Sequence, residues 1–392
     1  MRIYLDHNAG SPLRPAVRDA MRAFLDCGPH ANPASVHRTG QQARRELERA
    51  RERVAALIGA APRDVVFTSG GTEANNLALF GGASPDRRSI ITTAIEHSSI
   101  LEPLAALEKR GFGVARVRPD SDGLVAPEVI TGRIDHAIAL VTIGLVNAEV
   151  GAIQPVEAIA DATRRAGALL HLDAAQAAAR MPLRVDELGC DLLTLSAHKL
   201  GGPPGSGALY IRPGTALAPF LLGGPQEAAR RAGTPNLPGA IGFGVAAAEA
   251  LSRQDEETRT IATLSRRLLE SLGGAIPGLR LNGPTERRVP NTLNLTFPGV
   301  LGETMLMALD LEGIEVSMGS ACAAGAVEPS HVLLAMGRDA AAARSSLRLS
   351  LGWSTTVAEI AAAAETIPRV WRRVVAAEPV TRAPRIPVAE LR

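Results

Sequence analysis

Lysine occurs at only two positions in the 392-residue chain, Lys109 and Lys199; every other residue of the Lys+Arg total is arginine. Lys109 lies in Leu107-Glu108-Lys109-Arg110-Gly111, whose charges and closing glycine read as the solvated end of a helix. Lys199 lies in Ser196-Ala197-His198-Lys199, after the apolar run Leu192 to Ser196 and before Gly201-Gly202-Pro203-Pro204-Gly205. A lysine so placed is either a solvated loop cation or an amine that bonds a carbonyl compound at the mouth of a sheet. Strand ends of an open α/β sheet are where ligands bind, which favours the second reading.

Asp173 is the first charged residue after a buried-type run in Leu170-His171-Leu172-Asp173-Ala174-Ala175-Gln176. Alone it reads as a cap at a strand-to-helix junction. One strand before the lysine, it reads better as a carboxylate that keeps a pyridine nitrogen protonated. In Thr68-Ser69-Gly70-Gly71-Thr72-Glu73 a strand ends, two glycines let the backbone approach a ligand, and a helix begins. Free amides at Gly71 and Thr72, together with the positive helix end, suit a phosphate. Ser196 and His198 could add hydroxyl and imidazole donors. His97, in Ile95-Glu96-His97-Ser98-Ser99, follows another strand and offers a flat ring to stack on an aromatic ligand, although a lone histidine is more often structural. Amine, acid and anion site are the three requirements of pyridoxal phosphate.

The elements that must position these residues read as α/β. Helical spacing marks Arg14 to Leu25 and Gln41 to Ile58. Short apolar runs then alternate with helical stretches: Val65 to Thr68 before Thr72 to Phe80, Ile90 to Ile95 before Ser99 to Arg110, and Ala137 to Ile143 before Val156 to Ala166. Ala168 to Leu172 leads into a helical Ala174 to Ala178. This is the alternation of a mostly parallel sheet wrapped by helices. Helical segments at Ile241 to Leu251 and Glu256 to Leu272 follow, and from Leu279 the chain reads as a separate α+β unit. We expect a large cofactor-binding domain over residues 15–255 and a small domain built from 1–14 and 256–392, with residues 378–392 as an arm or a disordered end.

A formal charge of +2, from 42 basic and 40 acidic residues, argues against nucleic acid or an anionic membrane as the main partner. No run approaches the ~20 apolar residues of a membrane span, and Met1 to His7 does not read as a leader. A cytoplasmic location is expected. Cys27, Cys190 and Cys322 lack metal-ligand spacing and are too few for a disulfide framework, so no metal is expected and any functional cysteine acts as a thiol. Cys190 and Cys27 read as small buried hydrophobes. Cys322 lies among small residues in Met318-Gly319-Ser320-Ala321-Cys322-Ala323-Ala324-Gly325.

In this order, these segments resemble the cysteine desulfurases, pyridoxal phosphate enzymes of the class V aminotransferase type, from Tyr4-Leu5-Asp6 to about Ile360. Further matching segments are Asn32 to His37, Gly223 to Glu227, Arg231-Ala232-Gly233-Thr234, Glu328-Pro329-Ser330-His331 and Ser346 to Gly352. The resemblance implies pyridoxal phosphate fold type I, with a seven-stranded large domain, and a homodimer. By that resemblance, Lys199 holds the cofactor covalently and removes the substrate α proton, Asp173 pairs with the ring nitrogen and His97 stacks on the ring. Gly71, Thr72, Ser196 and His198 bind the phosphate, with Thr234 reaching it from the other subunit, and Gln176 lies near the phenolic oxygen. Arg348 would grip the substrate carboxylate, a planar bidentate task suited to guanidinium, unless it serves a structural ion pair. Asn147 would also touch substrate.

The spacing from Cys322 to Glu328-Pro329-Ser330-His331 resembles the desulfurases with the longer mobile loop. In these, the cysteine takes sulfur from L-cysteine as a persulfide, leaving L-alanine, and passes it to an acceptor protein. Iron–sulfur scaffold, tRNA-modifying relay and molybdenum-cofactor pathway all remain open as destinations. The chain departs from the family at Ala148, where asparagine is usual, at Pro204, where lysine is usual, and at Trp353, where arginine is common. The alternatives are a class V aminotransferase or selenocysteine lyase and, from another class, a degenerate cofactor-binding scaffold.

Overall fold

A computed structural model describes residues 2–319 and 328–377. Its main sheet has seven strands in the spatial order Val65–Thr68, Gly207–Ile211, Leu192–Ser196, Leu169–Asp173, Ile138–Gly144, Ser89–Thr93, Gly113–Val117. Gly207–Ile211 runs antiparallel to both its neighbours, and the remaining pairs are parallel. Thr68, Thr93, Gly144, Asp173 and Ser196 therefore end their strands at one edge of the sheet.

Both faces are covered, so central strands read as continuous apolar runs. Leu193 and Leu195 pack into a cluster with Phe243 and Val54, while Leu192, just before them, packs against Ala74 and Leu77 on the other face. The helix Gly71–Gly82 covers that second face and begins at the sheet edge. Gly207 is required there: a Cβ on it would come within 2.5 Å of the Gly70 backbone, so only glycine lets the loop before the helix lie against the neighbouring strand.

A second core involves both ends of the described chain. Thr292–Thr296 pairs antiparallel with Ser346–Ser350 and Arg280–Asn282, and Ile3–Tyr4 pairs in parallel with Ile314–Glu315. Ile3 and Leu5 are buried with Leu293, Leu347 and Ile367. One helix, Leu237–Ala275, serves both cores, where two segments were expected. Its buried residues belong to the first core through Ala250 and to the second from Ile261. The polar stretch between them does not interrupt the helix because it has partners. Gln254 donates to Met181 O at 2.8 Å, and Glu257 accepts two bonds of 2.7 Å from the buried Arg14. We propose that the domain boundary near residue 255 lies at this point.

Two local expectations fail. Residues 175–180 form turns instead of a helix, because the Asp173 carboxylate accepts the Ala175 amide and redirects the chain. Cys27 is exposed, as the last residue of the helix Pro15–Cys27, whereas Cys190 is buried and its thiol is pushed up to about 12 by desolvation. Glu227, Ala228 and Ala229 adopt left-handed φ of +48°, +57° and +60° in succession, a conformation that costs an L-residue roughly 1–2 kcal/mol. No helix of the described residues is long and apolar enough to cross a membrane.

Candidate functional site

A cavity of about 280 Å³ opens where the strands end, and side chains from both cores line it. Lys199 follows the strand Leu192–Ser196 on a single 3-10 turn. Its Nζ donates to the carbonyls of Asn8 at 2.5 Å and Ala9 at 2.9 Å, so the N-terminal segment forms the wall opposite the lysine. Lys109, by contrast, is exposed.

Asp173 ends the next strand. Oδ1 accepts the Ala175 amide at 2.9 Å and Oδ2 accepts from Asn75 Nδ2 at 2.8 Å. The same carboxylate thus caps the turn and faces the cavity, so the two readings of this residue are compatible. His97 caps the helix Ser98–Glu108: its Nδ1 accepts the Ser99 amide at 3.1 Å and lies 2.8 Å from Ser99 Oγ. These contacts fix the ring plane. Burial lowers the imidazole pKa, the charge of Asp173 opposes that shift, and Lys199 and His331 add to it; a neutral ring suited to stacking results. Gly71 and Thr72, at the start of their helix, line the cavity with Ser196 and His198, and a Cβ on Gly71 would lie 3.4 Å from Ser196 Cβ. Desolvation first, then Lys199, lowers the His198 pKa to about 4, leaving a neutral hydrogen-bonding imidazole.

Arg348 lies mid-strand and is 2% exposed. Nη2 pairs with Asp6 Oδ1 at 2.8 Å and Nη1 donates to Ala148 O at 3.3 Å, while Nε is buried without a partner among the described residues. The structural ion pair exists, and the guanidinium also lines the cavity. Gln176 donates to Asn8 O at 2.9 Å, and its Oε1 is a second buried atom lacking a partner among the described residues. Asn147 lines the cavity, but its amide serves the local loop: Nδ2 donates to Ile95 O, and Oδ1 accepts the amides of Glu149 and Val150. These bonds tie its amide to the loop that shapes the wall. Thr234 is exposed and lies outside the cavity of its own chain. Cys322 lies outside the described residues. Of the departures, Ala148 lines the cavity. Trp353 donates to Pro12 O at 3.0 Å and lies against Arg14, 5.4 Å from its ring centroid. Pro204 is exposed.

Several wall residues carried no earlier expectation. Asn8 joins the two cores: beyond its carbonyl contacts, Oδ1 accepts from Arg180 and Asn291, and Nδ2 donates to Ala148 O and Thr292. Glu96 is buried, with Oε2 accepting the Gly144 amide at 2.8 Å and Oε1 lying 2.6 Å from the Thr93 hydroxyl. Desolvation, helped by Asp173, pushes its carboxyl up to about 8 against those two hydrogen bonds. The folded protein therefore holds a proton that the unfolded chain releases near pH 4.5. This contribution to stability is full below that pH and declines as pH rises to about 8, by about 1.4 kcal/mol per pH unit within the window. Glu96→Gln mimics the protonated acid without titrating. The difference in unfolding free energy between wild type and variant, from urea titrations across pH 5–8, should show that slope; a flat difference would contradict the raised carboxyl.

The donor set suits a phosphorylated pyridine carbonyl compound. A lysine amine, a carboxylate, a fixed neutral imidazole and a helix start backed by Ser196 and His198 share one cavity, and the orphaned Gln176 Oε1 offers an acceptor to a phenolic hydroxyl. The aminotransferase class-V family model matches residues 3–362. A cysteine desulfurase IscS of Dictyoglomus turgidum is 41% identical over 371 residues, covering 94% of each chain. A cysteine desulfurase of Nostoc is 40% identical over 379 residues, 96% of this chain and 94% of that one. Among solved structures, a NifS-like protein superposes with TM-score 0.89 at 35% identity, covering 95% of this chain and all of the other. SspA in complex with cysteine superposes at 0.80 with 32% identity, covering 89% and 99%.

Proposed function

We propose that this chain, which belongs to the class-V aminotransferase family and within it to the cysteine desulfurases, converts L-cysteine to L-alanine and passes the sulfur on through Cys322. The observation that carries this reading is the convergence of Lys199, Asp173, His97 and Arg348 on one cavity at a helix start. Pyridoxal phosphate, when bound, supplies an electron sink for the bonds broken at the substrate amino acid.

Gly71, Thr72, Ser196 and His198 hold the phosphate, with Thr234 of a second copy of the chain adding a donor. Asp173 holds a proton at the ring nitrogen, anchored by Asn75 on its far side. Arg348 binds the substrate carboxylate while Asp6 fixes its plane. The Lys199 amine takes the α proton of the substrate and returns protons to the three-carbon product. The Cys322 thiolate attacks the substrate sulfur, the carbon–sulfur bond breaks, and its electron pair stays with carbon, which takes up a proton and leaves as alanine. Cys322 keeps the sulfur as a persulfide, and a protein thiol of the acceptor, which for an iron–sulfur scaffold would start cluster assembly, then attacks its outer sulfur. Cysteines without disulfide spacing suit a reducing compartment, and we place the reaction in the cytoplasm.

Incubating the purified protein with L-cysteine and measuring alanine together with protein-bound persulfide tests this. Equal yields of both are expected in a single turnover; alanine without persulfide would leave a different lyase or transferase. Ala148→Asn adds a hydrogen-bond donor to the cavity wall. Such a donor favours the cofactor's phenolic oxygen in its more anionic, deprotonated condition, so the pH midpoint of the bound cofactor's absorbance should fall. Only the difference between protonation states counts, so about one pKa unit, ~1.4 kcal/mol, is the ceiling. An unchanged or raised midpoint in spectral titration would mean that residue 148 does not act on that oxygen.

A further inference from the structure

Glu227, Ala228 and Ala229 hold their left-handed turn without a glycine among them, so nothing in the residue types favours it. Ala228 and Ala229 are exposed and offer no packing in its support. The Glu227 side chain, 3% exposed, supplies what they lack. Its two oxygens accept from both terminal nitrogens of Arg51 at 2.6 and 2.8 Å, and Oε2 also accepts the Phe67 amide at 2.8 Å. Arg51 is fixed in turn by a 2.8 Å bond to Val65 O and by the Phe67 ring, whose centroid is 4.9 Å away. A second clasp lies just beyond. Arg231 Nε donates to Glu73 Oε1 at 2.7 Å, and Glu73 Oε2 accepts the Ser69 amide at 2.8 Å. Residues 226–234 are thus tied at two points to the strand Val65–Thr68 and to the loop after it, with Thr234 exposed past the second tie.

We propose that Glu227 is a positioning residue: by clamping the left-handed turn onto Arg51 and the Phe67 amide, it aims Thr234 at the cofactor phosphate held by a second copy of the chain. This rests on the reading above that two copies share each site. Charge-assisted bonds are the strong ones available to a side chain, and here they offset a backbone that would otherwise relax to right-handed or extended conformations. Loss of the clamp leaves only a fraction of arms competent, and apparent affinity falls by that fraction. The defect belongs to the neighbouring chain's site.

Mixed dimers, verified by native mass spectrometry, provide the test. When one chain carries Lys199→Ala, borohydride can fix pyridoxal phosphate only on Lys199 of the other chain, so the captured cofactor reports one site. With Glu227→Gln on the Lys199→Ala chain, the affinity at that site should fall about tenfold, as for a competent fraction of about one in ten. With Glu227→Gln on the Lys199-bearing chain, the change should stay below about twofold. Ala228→Gly with Ala229→Gly should restore most of the loss, because glycine adopts the turn unaided. If Glu227→Gln prevents dimers and the glycines repair them, the same role is supported. Thr234→Ala is the control. No effect from the neighbouring chain would end the shared-site reading itself. An effect of Thr234→Ala across the dimer, with Glu227→Gln silent, acting only on its own chain, or not repaired by the glycines, would overturn the role of Glu227.

Discussion

Cys322→Ser is expected to cut sulfide release from L-cysteine by roughly a thousandfold or more, about 4 kcal/mol of barrier, while the protein still binds cofactor and still changes colour when L-cysteine is added. Lys199, Asp173 and Arg348 bind and activate the substrate in this reading, and none of them can accept sulfur. Only a thiolate can, and an ordinary cysteine is a few per cent thiolate at pH 7. The other cysteines are poor substitutes for different reasons. Burial pushes the Cys190 thiol up to about 12, leaving on the order of one thiolate in 10⁵ at pH 7. Cys27 is exposed at the end of the first helix and is absent from the cavity wall. The described residues flanking the Cys322 segment do reach that wall: Ser330 Oγ donates to the buried Glu149 Oε2 at 2.5 Å, and His331 Nε2 lies 3.0 Å from Glu96 O. Spectra with L-cysteine, read beside a sulfide assay, separate the two halves of the reaction. Sulfide release near the wild-type rate would mean that a nucleophile other than Cys322 takes the sulfur.

The site was legible in sequence wherever chemistry follows a buried strand. Leu192 to Ser196 and Leu170 to Leu172 are buried and mostly leucine because both faces of the sheet are covered, so the first charged residues after them had to lie at its edge. The glycines at positions 70 and 71 marked the loop, and Gly207 on the neighbouring strand gives the Gly70 backbone room to lie against it. Other wall residues left no local signal. Asn8 acts through partners more than 130 positions away, such as Ala148 and Arg180, and no periodicity encodes such contacts. Glu96 follows the run Ile90 to Ile95 with nothing local to mark it as buried, yet Gly144 and Thr93 supply its hydrogen bonds in the cavity wall. Helical spacing marks only Ile241 to Leu251 and Glu256 to Leu272, and the polar residues between them stay helical with Gln254 and Glu257 bonded to residues of the N-terminal half. Asn147 shows the converse limit: an amide beside a site can be committed to the backbone that shapes it.

Lys199→Ala is expected to abolish turnover, with a loss of at least about 10²–10⁴-fold from proton transfer alone, yet to leave detectable cofactor affinity. The two effects separate because they belong to different residues. In the proposed reading, phosphate and ring contacts come from Thr72, Ser196, His97 and Asp173, and the variant keeps all four side chains. In that reading the amine alone both tethers the carbonyl compound and moves the substrate α proton, and no second lysine stands near: Lys109 is exposed and does not line the cavity. The carbonyls of Asn8 and Ala9, at 2.5 and 2.9 Å from Nζ, can hold the amine beside the cavity once substrate has displaced it. Removal of the side chain takes one donor from each carbonyl, Asn8 O keeping Gln176 Nε2, and leaves no base in place of the amine. Borohydride treatment of wild-type protein followed by peptide mapping should place the pyridoxyl mass on Lys199, and the same treatment of Lys199→Ala should label nothing. Label on Lys109, or alanine formation by Lys199→Ala within tenfold of wild type, would remove the lysine from the centre of the mechanism and with it the reading of the whole cavity.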